Sequence, residues 1–335
     1  MIKFDKGKDG KSYSKIAKEF QQKLRNSSSK KTPYNLIPEL LAMPSGLSDK
    51  EKNFLSYFVE NDFANLDQLI TLRPDQFDSK HQEILMIAAS LNVQQLDGKS
   101  DASKRWKKAL ETIFGYKSFN QIIGRKWFLD ELDFKTCPYC NINLFAEVSN
   151  KTSSTTKLIL FEIDHFYKKS THPWFSMSFF NLVPSCLVCN QRLKGNANVG
   201  YSTHLHPYAD SFHQLAEFDT VPDSRLFLPQ VERIDLLCIT EAHLERTKKT
   251  IRLYRLEELY QYYIHEAEQV YEEFAQMAQS RSRKDPILPG IKNSIITDHD
   301  LSEIRRRHRI PANESEIGKF SLGKLRFDLY QKLIP

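Results

Sequence analysis

The sequence predicts an α+β fold that is mainly α: a small mixed core, stapled by a four-cysteine zinc site, inserted between helical N- and C-terminal regions. Three observations carry this. Apolar residues recur at helical spacing on both sides of a central segment, in His81 to Leu91 and Lys104 to Phe114 before it, and at Leu253, Leu256, Leu259, Tyr260, Tyr263, Ile264 and Ala267 after it. Inside the segment the texture changes, and Lys157 to Asp164 reads as a strand. The same segment holds two Cys-x-x-Cys pairs, Cys137/Cys140 and Cys186/Cys189. The expected division is a helical region over 1–134, the metal-stapled core over 135–212 and a second helical region over 213–335.

Along the N-terminal region, the charged start from Met1 to Lys6 lacks the apolar core of a signal peptide. A short first helix gives way to a polar link from Arg25 to Lys31. Ser48 followed by Glu51 forms a capping box that opens a helical stretch running to Phe134. Trp106, Phe114, Tyr116, Phe119, Trp127 and Phe128 supply the core of this lobe. In the centre, the polar run Ser149 to Thr156 reads as a loop before the strand. Beyond it, Glu241 to Lys284 reads as a long helix, Pro286 to Gly290 as a break, and Asp300 to Arg309 and Glu314 to Lys332 as two shorter helices.

The composition sets limits on function. The chain has 335 residues, 40% of them hydrophobic, a formal net charge of +6 and a mean hydropathy of -0.51. Its longest apolar runs fall short of the roughly 20 residues that span a bilayer, so no membrane association and a cytoplasmic location are expected. In a reducing compartment, paired Cys-x-x-Cys units are metal ligands more often than disulfides. The fifth cysteine, Cys238, reads as a small buried hydrophobe. The positive balance suits a polyanionic partner. Lys168, Lys169, Arg192 and Lys194 fall within the core, and Arg305-Arg306-Arg307-His308-Arg309 is either a solvated helix face or a partner surface.

Four thiolates in two pairs close a tetrahedral zinc site with no open position, so the zinc expected here holds the fold and does no chemistry. The reactive set lies between and beside the pairs. Asp164 offers a hard carboxylate for Mg²⁺ or Mn²⁺, His165 a neutral base for water, and Asn190, next to Cys189, an amide oxygen for the same ion. Asn181 is expected to bond backbone groups and stiffen the loop carrying His165, and Lys194, with Arg192, to contact substrate phosphates. Glu162 shares the strand face of Asp164, as a nearby acid or a solvent-facing one. His172 reads as a loop residue, while His204 and His206 could approach the metal, His206-Pro207-Tyr208 reading equally as a packed turn. Each of these residues taken singly has a bland reading; their order around two knuckles gives the functional one.

The run Cys137-x-x-Cys140, Phe161-Glu162-Ile163-Asp164-His165-Phe166, Asn181-Leu182-Val183-Pro184-Ser185-Cys186-x-x-Cys189-Asn190, with Lys194-Gly195, resembles the HNH endonuclease superfamily. It is most similar to the His-Asn-Asn variant seen in phage endonuclease VII. The resemblance covers about a quarter of the chain. It implies a ββα-metal core with Asp164 and Asn190 on the catalytic ion, His165 as general base and Asn181 as the middle, structural asparagine. Lys194 departs from the pattern, lying five residues after Cys189 where many members have four. The style of the core, including His206-Pro207-Tyr208, also resembles HNH subunits of Septu and retron-type anti-phage systems, which implies antiviral defence and an ATPase partner subunit.

The expected activity is therefore metal-dependent hydrolysis of phosphodiester bonds, in DNA before RNA. The long helix after Glu241 offers either a surface for homo-oligomerisation or an apolar face packed inside the protomer. Two alternatives stay open at this point: a nuclease acting on RNA such as tRNA, and a non-catalytic, zinc-stabilised nucleic-acid-binding or adaptor protein in which Asp164, His165 and Asn190 have no chemical role.

Overall fold

In the computed structural model, residues 7–333 are described except 30–31, 43–44, 94–95, 97, 116–122, 134, 151–152, 223–229 and 282–297. The expectations for Met1 to Lys6, Tyr116, Phe119, Phe134 and the Pro286 to Gly290 break lie outside the described residues. Among those described, the chain is mainly helical with three two-stranded antiparallel sheets, and no helix is long and apolar enough to cross a membrane.

Among the described residues, seven α-helices come first: α1 (Tyr13–Arg25), α2 (Pro33–Ala42), α3 (Asp49–Ser56), α4 (Glu60–Ile70), α5 (Phe77–Ser90), α6 (Asp101–Ile113) and α7 (Gly124–Leu132). Their starts follow local chemistry. The Ser12 side chain accepts from the Lys15 N–H at α1, and the capping box expected at Ser48 and Glu51 is formed at α3. α1 buries Ile16, Ala17, Phe20 and Leu24, spaced for one face. Phe20 then meets Phe128 of α7 and Phe179 of the central segment, at ring separations of 5.9 and 5.6 Å. One buried apolar cluster runs from Tyr13 to Tyr330, so the lobe and the centre share a core. Trp106, Phe114 and Phe128 are buried in it and Trp127 packs against it.

Two hairpins form the centre. β1 (Glu147–Asn150) pairs with β2 (Ser153–Ile159), and β3 (Glu162–His165) with β4 (Leu182–Ser185). The first corrects the reading of Ser149 to Thr156 as a loop. The cross-strand pair Val148 and Leu158 is exposed, so the apolar residues of this ribbon do not mark a core-facing alternation there. The strand expected over Lys157 to Asp164 is likewise two strands, broken at Leu160 and Phe161. After β4, Val188–Lys194 winds as a π-helix, closed by a 2.9 Å bond from Gly195 N–H to the Asn190 carbonyl. That i→i+5 turn makes room for one residue more than an α-turn would.

The C-terminal region is not purely helical, as expected from the sequence, but begins with a third hairpin. β5 (Ala216–Pro222) pairs with β6 (Val231–Cys238), in which Ile234 and Leu236 face the core and Cys238 is half-buried, not buried. The long helix expected after Glu241 is α8 (Leu244–Leu253), α9 (Leu256–Tyr260) and α10 (Ile264–Arg281). Arg255 adopts a left-handed φ of 47° that ends α8, which costs a non-glycine residue and redirects the chain. The apolar spacing survives the break: Ile251, Tyr254, Leu256, Tyr260 and Ala267 are all buried. α11 (Asp298–Arg307) and a 3₁₀ turn over Glu314–Lys319 precede α12 (Gly323–Leu333), which lies against β5 and α10. In the arginine run at the end of α11, Arg306 pairs with Glu303 at 2.9 Å and Arg307 with Glu273 at 2.7 Å, both arginines remaining exposed.

Candidate metal centre and active site

The four paired cysteines converge. Cys137 and Cys140 lie on the turn before β1, Cys186 follows β4, and Cys189 lies in the first turn of the π-helix. All four are buried, and their sulfurs lie within 4.8 Å of one another. A tetrahedral zinc with Zn–S near 2.3 Å has edges of about 3.8 Å, so a slight contraction closes the site. Donors already point at sulfur: Cys186 N–H to Cys137 Sγ at 3.3 Å, Cys189 N–H to Cys186 Sγ at 3.4 Å and Asn143 Nδ2 to Cys186 Sγ at 3.3 Å. Such bonds favour thiolates, the form that binds metal. The cluster can hold a metal ion such as zinc.

The first knuckle is gripped from the far end of the chain. Asn141, in a left-handed turn, donates through Nδ2 to the carbonyls of Ile317 and Phe320, while its Oδ1 accepts from Lys324 N–H at 2.8 Å. Leu322 N–H donates to the Asn141 carbonyl at 2.7 Å, and the Tyr260 hydroxyl to the Cys140 carbonyl at 2.8 Å.

Beside the cluster lies a cleft of about 520 Å³, lined in part by Asp164, His165, Lys168, Lys169, Asn190 and Lys194. β3 ends at His165, so the Asp-His pair sits at a strand end facing this space. Asp164 is 4% exposed and already holds a cation. The Lys194 ammonium lies 2.7 Å from both carboxylate oxygens and 2.6 Å from the His165 carbonyl, so each of its three donors has an acceptor. The Tyr139 hydroxyl donates to Asp164 Oδ2 at 2.7 Å. Lys194 is itself buried, and that burial lowers its pKa while Asp164 works the other way. The expectation that Lys194 lies open to substrate phosphates is thereby corrected: the π-helix turns it inward onto Asp164. Arg192 stays exposed on the same helix.

His165 is half-buried. Its Nε2 lies 3.1 Å from the Ser176 carbonyl, which can only accept, so Nε2 carries the proton and Nδ1 is left as the acceptor. Burial lowers its pKa to about 4, against the upward pull of Asp164, so the ring is neutral at pH 7. Asn181 is fully buried and holds the loop after His165: its Oδ1 accepts from Tyr167 N–H at 2.6 Å, and its Nδ2 donates to the carbonyls of Tyr167 and Phe175. The helical lobe holds the same loop, through Tyr167 OH to Asp78 at 2.7 Å and Ser178 Oγ to the Leu69 carbonyl at 2.7 Å. Asn190 donates through Nδ2 to Glu162 at 2.8 Å, so Glu162 orients this amide, and Asn190 Oδ1 makes no hydrogen bond among the described residues.

The cleft thus brings together Asp164, His165, Asn190 and Lys194, with Asn181 behind the loop. Sequence reasoning missed Tyr139, which bonds Asp164 from between the two cysteines of the first knuckle and stacks on Tyr254 at 4.4 Å. It also missed that Glu162 holds Asn190. The one signal for Glu162 was its i−2 position to Asp164; for Tyr139 it was its place between the cysteines.

The other histidines pack. The His172 ring lies tilted against His81 at 4.3 Å, and the Arg246 guanidinium donates to the His204 carbonyl. His206 is fully buried, its ring tilted against Phe166 at 4.2 Å, and burial pushes its pKa down to about 3. Unfolded histidine titrates near 6.5, so the unfolded chain binds this proton first as pH falls. Stability is then full above pH 6.5 and declines from there toward the folded value. A His206→Gln variant should flatten the loss of urea stability between pH 6.5 and 4 by a few kcal/mol, at about 1.4 kcal/mol per pKa unit. An unchanged slope would show that other groups carry it.

Comparison of the chain with protein-family models, curated proteins and solved structures gives no match.

Proposed function

We propose that the chain is a zinc-stapled, metal-dependent endonuclease of the HNH type that hydrolyses phosphodiester bonds in DNA. The observation that carries this is the meeting, in one cleft, of a neutral histidine, a carboxylate already holding a cation and an oriented asparagine amide, beside a buried four-cysteine cluster. A structural zinc module alone has no use for the first three.

The donor set suits a second, hard ion. Lys194 acts as a stand-in cation on Asp164, and the Asn190 amide oxygen is unengaged in the same cleft. Asp164 and Asn190 would hold Mg²⁺ or Mn²⁺, which neutralises phosphate charge and assists the leaving oxygen. The chain's own residues do the rest. His165 Nδ1 accepts the proton of the attacking water, while the Ser176 carbonyl fixes the ring through Nε2. Asn181 fixes the loop that places the ring, and Lys168, Lys169 and exposed Arg192 present positive charge to the strand. The resemblance extends the proposal to an effector of anti-phage defence beside an ATPase subunit.

Supercoiled plasmid and a tRNA pool, incubated side by side with the zinc-loaded protein and Mg²⁺ or Mn²⁺, test the reading. Metal-dependent nicking of the plasmid supports it. Cleavage confined to tRNA moves the substrate to RNA, and cleavage of neither by folded protein returns the chain to the adaptor reading.

Lys194 gives a separate test. Its removal frees Asp164 for an ion but leaves a buried carboxylate uncompensated, a cost of roughly 3–5 kcal/mol. Lys194→Met should melt lower than the parent without Mn²⁺, and bind Mn²⁺ about tenfold or more tightly by calorimetry, regaining stability as it does. Equal Mn²⁺ affinity in the two proteins would show that Lys194 and the ion do not compete.

A further inference from the structure

A second cleft, of about 810 Å³, lies between α5, α6 and the loop after His165. Phe54, Trp106, Trp174 and His81 contribute to its walls. Ser170 borders both this cleft and the one holding Asp164 and His165, so the two adjoin.

Two polar atoms in these walls are unsatisfied. Trp174 is 2% exposed, yet among the described residues its indole Nε1 has no hydrogen-bond partner, and neither does His81 Nδ1. Buried indole N–H groups usually find an acceptor, and buried polar atoms left unpaired in a native fold call for one. The His81 and His172 rings lie 4.3 Å apart with their planes tilted by 50°, and burial lowers the pKa of both, so this corner offers aromatic surface and nitrogens without charge. The positive charge in the lining is Lys107, half-buried and with no ion pair among the described residues.

We propose that this cleft binds a nucleotide, the base entering between the aromatic walls with a ring or carbonyl acceptor on Trp174 Nε1 and the phosphate toward Lys107. An aliphatic ligand would leave both ring nitrogens unpaired, and a cationic one would meet Lys107. A planar heteroaromatic ring with an anionic group answers all three, and the volume is that of a small-molecule site. The base belongs either to a free mononucleotide or to a strand lying across the neighbouring cleft. The inference stands apart from the hydrolytic reading, since binding here requires no cleavage.

Tryptophan fluorescence tests it. In a Trp127→Phe background only Trp106 and Trp174 report, because the chain has 3 tryptophans. The full-length, zinc-loaded protein is titrated, without Mg²⁺ or Mn²⁺, with the four nucleoside monophosphates and separately with a short single-stranded oligodeoxynucleotide. Saturable quenching is expected with a dissociation constant below about 1 mM. A response to a mononucleotide identifies the free ligand, and one to the oligonucleotide alone identifies a base of the strand. Ala88→Phe, which fills the cleft, should weaken binding about tenfold or more, and Lys107→Ala, at a half-buried position that a fold failure of the first variant leaves usable, several-fold. No saturable quenching in either titration, or quenching unchanged by Lys107→Ala, overturns the proposal.

Discussion

The His165→Ala variant is expected to lose plasmid nicking by about 10²- to 10⁴-fold, the usual contribution of a positioned general base, while its zinc content and melting temperature match the parent's. The geometry separates the two effects. The ring is half-buried at the end of β3, where its Nε2 bonds the Ser176 carbonyl. Removing it leaves the Asp164–Lys194 pair, the Asn181 bonds and the cysteine cluster untouched. Free imidazole added to the variant should restore part of the rate if the loss is chemical, and should do nothing if the loss is structural. Nicking at the parent's rate would remove His165 from the mechanism altogether.

Cys186→Ser should act on the fold. The ion bound by four thiolates supplies folding free energy directly, about 10–16 kcal/mol in zinc-finger peptides, more than most domains hold in reserve. Loss of one ligand is expected to abolish stoichiometric zinc and to lower the melting temperature sharply. Chelator treatment of the parent should reproduce both changes. Because Tyr139 sits between Cys137 and Cys140 and bonds Asp164, the cleft should lose its shape together with the metal. A serine variant that keeps one zinc per chain and melts normally would show that the cluster is four buried thiols and nothing more.

The parts of this molecule that could be read from its sequence are those fixed by neighbours in the chain. The cysteine pairs declare themselves by spacing, the capping box at Ser48 by two residues three apart, and the Asp-His pair by following a strand. What could not be read depends on partners far away or on the absence of burial. Lys194 looks like any surface lysine until the π-helix, with its extra residue, swings it onto Asp164. Tyr139 carries no signal beyond its place between the two cysteines, because its role exists only once β3 is beside the knuckle. The run Ser149 to Thr156 in the β1–β2 ribbon is polar in sequence, so it resembles a loop, and β5–β6 fell inside a region whose helical periodicity elsewhere dominated the reading.

The grip on the first knuckle also sets an order of events during synthesis. Asn141 is held by residues that follow it by 176 to 183 positions. At about 5–20 residues per second, the ribosome delivers those partners roughly 10–35 s after the knuckle itself has been made. Until then the turn that carries Tyr139, and through it Asp164, lacks its outer hold. Residues 317 to 324 thus set when the cleft beside the cysteine cluster is finished.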